Sequence, residues 1–127
     1  MNYLLDTNAL LWAMENNPLL KKKAKNAIAD RQHGVYVSIA SLWEISIKLS
    51  IGKLDLNQTL DDIIEEMAKQ SYSVLPISIE AIRIIRTLPY YHRDPFDRVI
   101  IAQALADDLP IITSDVKFDE YGINRYW

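Results

Sequence analysis

The chain has 127 residues, 50% hydrophobic and 24% charged, a composition that fits one folded domain and excludes a disordered or fibrous chain. It contains no cysteine, so disulfides and thiolate metal sites are excluded and any bound metal must be held by oxygen or imidazole. The formal net charge of −3 argues against a broad basic face for nucleic acid, and no stretch approaches the ~18 apolar residues of a membrane span.

The opening residues Met1-Asn2-Tyr3-Leu4-Leu5-Asp6 lack a basic leader and reach a carboxylate before an apolar signal region could be complete, so a cytoplasmic protein is expected. Tyr3 to Leu5 reads as a short buried strand, and Ala9 to Met14 as a turn or two of helix that stops before Asn16-Asn17-Pro18. Lys21 to Arg31 follows as a helix, with Lys21, Lys22, Lys23 and Lys25 on a solvated face. His33-Gly34 breaks it and leads into Val35-Tyr36-Val37, a β-branched and aromatic strand. In the next helix Leu42, Ile45 and Leu49 recur at helical spacing until Gly52 ends it before Lys53-Leu54-Asp55-Leu56. Thr59-Leu60-Asp61-Asp62 caps a helix carrying Ile63, Ile64 and Met67. Ser73 to Leu75 is then a strand, and Ile79 to Leu88 a helix closed by Pro89. Asp94-Pro95-Phe96-Asp97 starts a helix to about Ala106, Pro110 to Thr113 is a strand, and a short tail ends at Trp127. The order βαβαβαβ predicts an α/β fold: one domain over residues 1–127, with a parallel sheet, helices on both faces and right-handed crossovers.

In such sheets the ligand crevice lies beyond the carboxyl ends of the strands. Four acids fall there: Asp6 after the first strand, Glu44 on the helix after the second, Asp97 in the first turn of a later helix, and Asp115 after Ile111-Ile112-Thr113-Ser114. Each also has an ordinary structural explanation. Asp94 can cap a helix whose first position is Pro95, leaving Asp97 to complement the helix dipole. Glu44 closes a possible Ser41-Leu42-Trp43-Glu44 capping box, and Asp115 can start a turn before Phe118. Asp6 resists that treatment, because it extends an apolar strand directly into Thr7-Asn8, which offer further oxygens to the same crevice.

As a set the acids need a counter-charge, since two like charges ~4 Å apart repel by ~4 kcal/mol at an effective dielectric of 20. Oxygen ligands select Mg²⁺ or Mn²⁺, and clustered carboxylates with one or two such ions suit phosphodiester hydrolysis. Bound cations would also meet the phosphate locally, which offsets the objection from net charge. Arg93, Arg98, Lys48 and Lys117 stand near the acids in sequence and are candidate phosphate contacts, or ordinary surface charges. His33 reads as a loop residue, while His92 stands beside the carboxylate turn. Trp12, Trp43 and Trp127 read as core or interface groups rather than base-stacking platforms.

Leu5-Asp6-Thr7-Asn8, Ser41-Leu42-Trp43-Glu44-Ile45, Asp94-Pro95-Phe96-Asp97-Arg98 through Ile101-Ala102-Gln103-Ala104, and Thr113-Ser114-Asp115, in that order, resemble PIN domains. The ordered set is similar to PIN-domain toxins of the VapC type, from near Met1 to Trp127. The resemblance implies a three-layer α/β/α fold, Mg²⁺- or Mn²⁺-dependent endoribonuclease activity, a small cognate antitoxin and a homodimer. It carries the acidic quartet onto Asp6, Glu44, Asp97 and Asp115 as catalytic metal ligands. Thr7, Asn8 and Ser114 fall on polar positions that orient carboxylates or metal waters, and Asp94 is an extra acid assigned chiefly to capping.

Two other classes compete. A phosphoacceptor receiver domain would need an acidic pair after the first strand, a phosphorylatable Asp after the third and a lysine after the last; here Asp6 is unpaired, Leu75 leads to Pro76-Ile77-Ser78, and the late strand ends in Asp115. A catalytically silent PIN fold kept for binding is the second rival, and the intact quartet argues against it.

Overall fold

The computed structural model describes residues 1–127, built on a sheet of five parallel strands in the order β3-β2-β1-β4-β5. Central β1 (Asn2–Leu5) lies between β2 (Gly34–Ser38) and β4 (Ile111–Ile112), with β3 (Ser73–Leu75) and β5 (Arg125–Tyr126) at the edges. Leu5 is in register with Val37 on one side and Ile112 on the other, so the chain leaves all three central strands at one level. The next residues, Asp6, Ser38 and Thr113, therefore emerge side by side at the carboxyl edge.

The two-residue period of a strand sends successive side chains to opposite faces and separates two cores. Tyr3, Leu5, Val35, Val37 and Ile112 pack on one face against Leu10 of α1 (Thr7–Glu15), Ala24 of α2 (Lys22–Ala29), Ile45 of α3 (Ile39–Ser50), and Ile63 and Met67 of α4 (Leu60–Lys69). Leu4 and Ile111 face the other way, against Ile100, Ile101 and Ala104 of α6 (Pro95–Asp107) and Phe118 of a 3-10 helix (Val116–Tyr121), with Ile84 of α5 (Ile79–Thr87) alongside. The result is the expected three-layer α/β/α arrangement around a parallel sheet. Leu4, Leu5, Ile111 and Ile112 are fully buried, each contributing roughly 2 kcal/mol by removal from water.

Helix starts follow the capping chemistry, with one correction. Asp6, Ser38, Thr59, Ser78 and Asp94 cap α1, α3, α4, α5 and α6 through their side chains, and Thr59 with Asp62 completes a capping box. Ser41 and Glu44 form no such box, because Ser38 at the end of β2 already caps α3 and both residues lie inside the helix. Glu44 is thereby released from a structural duty. The tail is also more ordered than a short appendage: Ile111 N–H donates to Asn124 O at 2.9 Å, and β5 extends the sheet. Lys21, Lys22, Lys23 and Lys25 are exposed, as expected of a solvated face. Trp12 and Trp127 lie 5.9 Å apart against the core, while Trp43 is 57% exposed and meets Phe96 edge-on at 5.0 Å. No helix is long and apolar enough to cross a membrane.

Candidate active site

The site forms where strand order reverses. β1 feeds α1 on one face of the sheet, whereas β4 feeds the segment that buries Phe118 on the other, so the two chains diverge at the carboxyl ends of these strands. Asp6 follows β1 directly and Asp115 follows β4. Glu44 comes from α3 and Asp97 from the first turn of α6, a helix in contact with α3.

Asp6 is 5% exposed and both its oxygens are engaged. Oδ1 accepts the Ala9 N–H at 2.8 Å, which caps α1, and Oδ2 accepts the Thr113 hydroxyl at 2.6 Å. Thr113 Oγ1 in turn accepts the Asp115 N–H at 3.0 Å, tying the ends of β1 and β4 together. Burial pushes the Asp6 carboxyl up to about 6; the Thr113 and Ala9 hydrogen bonds oppose this, and the charges of Asp115 and Glu44 add to it. Asp97 is pushed up to about 8, by burial first and then by Asp94, Asp6, Glu44 and Asp115. Four acids from separate elements therefore raise one carboxyl together.

Glu44, 6% exposed, accepts the Thr7 hydroxyl at Oε1 (2.7 Å) and the Lys48 ammonium at Oε2 (2.7 Å). Thr7 Oγ1 also lies 3.0 Å from Ser41 Oγ. The hydrogen bond from Lys48 to Glu44 holds the ammonium above its ordinary range; burial opposes this, and the charges of Glu44, Asp94 and Asp97 reinforce it. Asp94 caps α6, its Oδ1 accepting the Phe96 and Asp97 N–H groups at 2.9 and 3.0 Å. The positive end of that helix points toward the carboxylates.

The expected residues are placed unevenly. Thr7 touches Glu44, but Asn8 and Ser114 are exposed, and the hydroxyl that grips Asp6 belongs to Thr113. The strand register could have found it, since pairing Leu5 with Ile112 sets Asp6 beside Thr113. Arg98, expected as a phosphate contact, is 5% exposed and faces inward. Its guanidinium donates to the carbonyls of Leu88 (2.9 Å), Pro89 (2.8 Å) and His92 (3.3 Å) and covers the Tyr90 ring at 3.9 Å, so it clamps the loop before α6. Its signal was helical spacing: Arg98 stands three and four residues before the buried Ile101 and Ala102. Arg93 and Lys117 are exposed near the site, and Lys48 is occupied by Glu44.

His92 was only weakly marked in sequence. Its Nε2 lies 2.8 Å from Asp115 Oδ2 and 3.2 Å from Asp97 Oδ2, and these three residues offer atoms within 4.8 Å of one another. The donor set, chiefly carboxylate oxygen with no sulfur, fits a hard divalent cation, which would relieve the burial cost and the mutual repulsion that together raise Asp6 and Asp97.

A family profile for the PIN domain matches residues 3–124. Several solved structures share the fold. VapBC2 from Rickettsia felis, bound to a DNA fragment from their promoter, superposes with a TM-score of 0.74 at 16% identity, covering 98% of this chain and 97% of that one. VapBC-1 from nontypeable Haemophilus influenzae gives 0.68 at 21% identity, covering 98% and 96%. FitAcB from Neisseria gonorrhoeae gives 0.65 at 20% identity, again covering 98% and 96%. No curated protein matches the chain significantly by sequence.

Proposed function

The chain belongs to the PIN-domain family, and from that premise we propose that it is a metal-dependent endoribonuclease that cleaves RNA phosphodiester bonds, the toxin of a toxin-antitoxin pair. The observation that carries the reading is the convergence of Asp6, Glu44, Asp97 and Asp115 from separate elements; burial first, and then the charges of Asp94, Asp6, Glu44 and Asp115, push the Asp97 carboxyl upward. Asp6, Glu44, Asp97 and Asp115 would hold one or two Mg²⁺ or Mn²⁺ ions. Such an ion supplies a water of lowered pKa and charge stabilisation on the leaving oxygen.

The remaining chemistry belongs to the side chains. The Thr113 and Thr7 hydroxyls each hold one oxygen of Asp6 and Glu44, fixing the direction in which the carboxylates present their charge. Lys48 neutralises Glu44 until a cation competes for it. Arg93 and Lys117 are the free cations suited to flanking phosphates. Fixed carboxylates on rigid strand ends and helix starts preorganise the site. The VapBC neighbours support a small cognate antitoxin as partner, and exposed Trp43, Ile79 and Ile82 offer apolar surface for it or for a homodimer.

The test incubates the purified protein, free of other chains, with total cellular RNA in Mn²⁺, Mg²⁺ or EDTA, beside Asp6→Asn, and maps new RNA ends by sequencing. Cleavage with metal by wild type alone is expected. A fully active Asp6→Asn, or cleavage undiminished in EDTA, would sink the assignment, and metal binding without cleavage would point to a PIN fold kept for binding.

A further inference from the structure

By composition alone, His92, Asp97 and Asp115 look like a three-ligand metal set, with Nε2 of the ring facing an oxygen of each carboxylate. The other ring nitrogen decides otherwise. Asp94 donates its backbone N–H to His92 Nδ1 at 3.2 Å. An amide N–H cannot face a ring N–H, so Nδ1 carries no proton while that bond stands, and the proton of the ring sits on Nε2. A protonated nitrogen donates and has no lone pair for a metal. Ligation through Nε2 would require moving the proton to Nδ1 and pulling the Asp94 amide away, at the residue that caps α6.

The ring is also fixed in place. His92 N–H donates to Tyr121 Oη at 2.7 Å, and Tyr121 Oη donates to Pro89 O at 2.8 Å. The His92 carbonyl accepts from the buried Arg98 clamp, and Phe118 meets the imidazole edge-on with centroids 5.5 Å apart. Four residues, Asp94, Tyr121, Arg98 and Phe118, thus hold the ring with one N–H aimed into the carboxylate cluster.

We infer that His92 is a positioning residue, locked with its proton on Nε2, that donates a hydrogen bond to Asp115 beside Asp97 and orients these carboxylates rather than ligating the metal. The inference rests on the metal-centre reading of the acids. It assigns Asp115 Oδ2 to His92, at 2.8 Å, and leaves cation binding to oxygens alone.

The full chain with ¹⁵N-labelled histidine tests this by long-range ¹H–¹⁵N correlation, metal-free and with Mg²⁺; only His33 and His92 contribute signals, and His92→Gln assigns them. The His92 pattern of a proton on Nε2 is expected in both states. Pulsed EPR of the Mn²⁺ complex should show no directly coordinated nitrogen. Replacing the ring by Gln, which keeps a donor, should leave Mn²⁺ affinity within a few-fold, whereas His92→Leu should weaken it by ~10- to 100-fold. A proton on Nδ1 in either state, or an Mn²⁺–nitrogen coupling that His92→Gln removes, would overturn the inference. Failure of the wild type to bind Mn²⁺ at all would overturn the metal-centre reading instead, and the metal-free spectrum would still judge the tautomer.

Discussion

Asp97→Asn should make the metal-free protein more stable while removing its activity. A carboxyl shifted from 3.8 to about 8 corresponds to roughly 5 kcal/mol of disfavoured charge at full value. The side chain is 23% exposed and shares its repulsion with neighbours that relax together, so we take about half, ~2 to 3 kcal/mol at pH 8. The sign follows from linkage. Because this pKa is raised on folding, the folded chain keeps a proton that the unfolded chain has lost between about pH 4 and pH 8, and stability falls as pH rises through that window.

Asparagine resembles the protonated acid and does not titrate, so the advantage of the variant should shrink to under ~1 kcal/mol at pH 5. In a domain of this size 1 kcal/mol moves Tm by ~4 °C, so the variant should melt ~8 to 12 °C above wild type at pH 8 in EDTA. Millimolar Mn²⁺ should raise the wild-type Tm and leave the variant nearly unmoved, since only a folded site with its charges intact binds the ion. Calorimetry at several pH values reads all of this. Equal melting of the two proteins at pH 8 in EDTA, with parallel pH slopes, would refute the account of a repelling cluster.

Thr113→Val should cut cleavage by ~10-fold or more by freeing Asp6 Oδ2, while Ser114→Ala stays near wild type; single-turnover kinetics with circular dichroism as a fold control compares them. Arg98→Lys should cost ~2 kcal/mol or more in urea denaturation, because an ammonium cannot reach all three carbonyls together; a loss below ~0.5 kcal/mol would show the clamp to be dispensable. Asp94→Asn should keep both stability and cleavage, since asparagine caps equally well, and a loss as large as that of Asp97→Asn would mean that Asp94 is itself a ligand.

The elements and three-layer arrangement were legible because they rest on local pattern: the apolar run Tyr3-Leu4-Leu5 of β1, or the helical spacing of Leu42, Ile45 and Leu49. β5 was not, because two residues, Arg125 and Tyr126, are too few to carry a period and owe their strand geometry to β4. Asp6, Asp97 and Asp115 were legible as polar residues following apolar strands or opening a helix, and Glu44 as an acid on the helix after β2. Of their helpers, Thr7 was legible and Thr113 and His92 were not. Thr113 and Ser114 are chemically alike and adjacent, and only the pairing of β1 with β4 selects between them. His92 meets Asp115 across 23 residues, a contact no spacing rule encodes.

The structural and catalytic explanations of the acids, set against each other in the sequence, turn out to share the same side chains. Asp6 gives Oδ1 to the Ala9 amide and Oδ2 to Thr113; Asp115 gives Oδ1 to the Lys117 amide at 3.0 Å and Oδ2 to His92. In each, one oxygen starts a helical turn and thereby fixes the backbone, and the other is held in the cluster by a donor. Capping needs an acceptor but not a charge, whereas binding a cation needs the charge. Asparagine therefore keeps the first duty and loses the second at Asp6 and Asp115, which is why such variants should fold normally and fail to cleave. Asp97 caps nothing, because Asp94 does so in its place. It bears the repulsion without structural return, and so it is the acid whose neutralisation should visibly strengthen the fold.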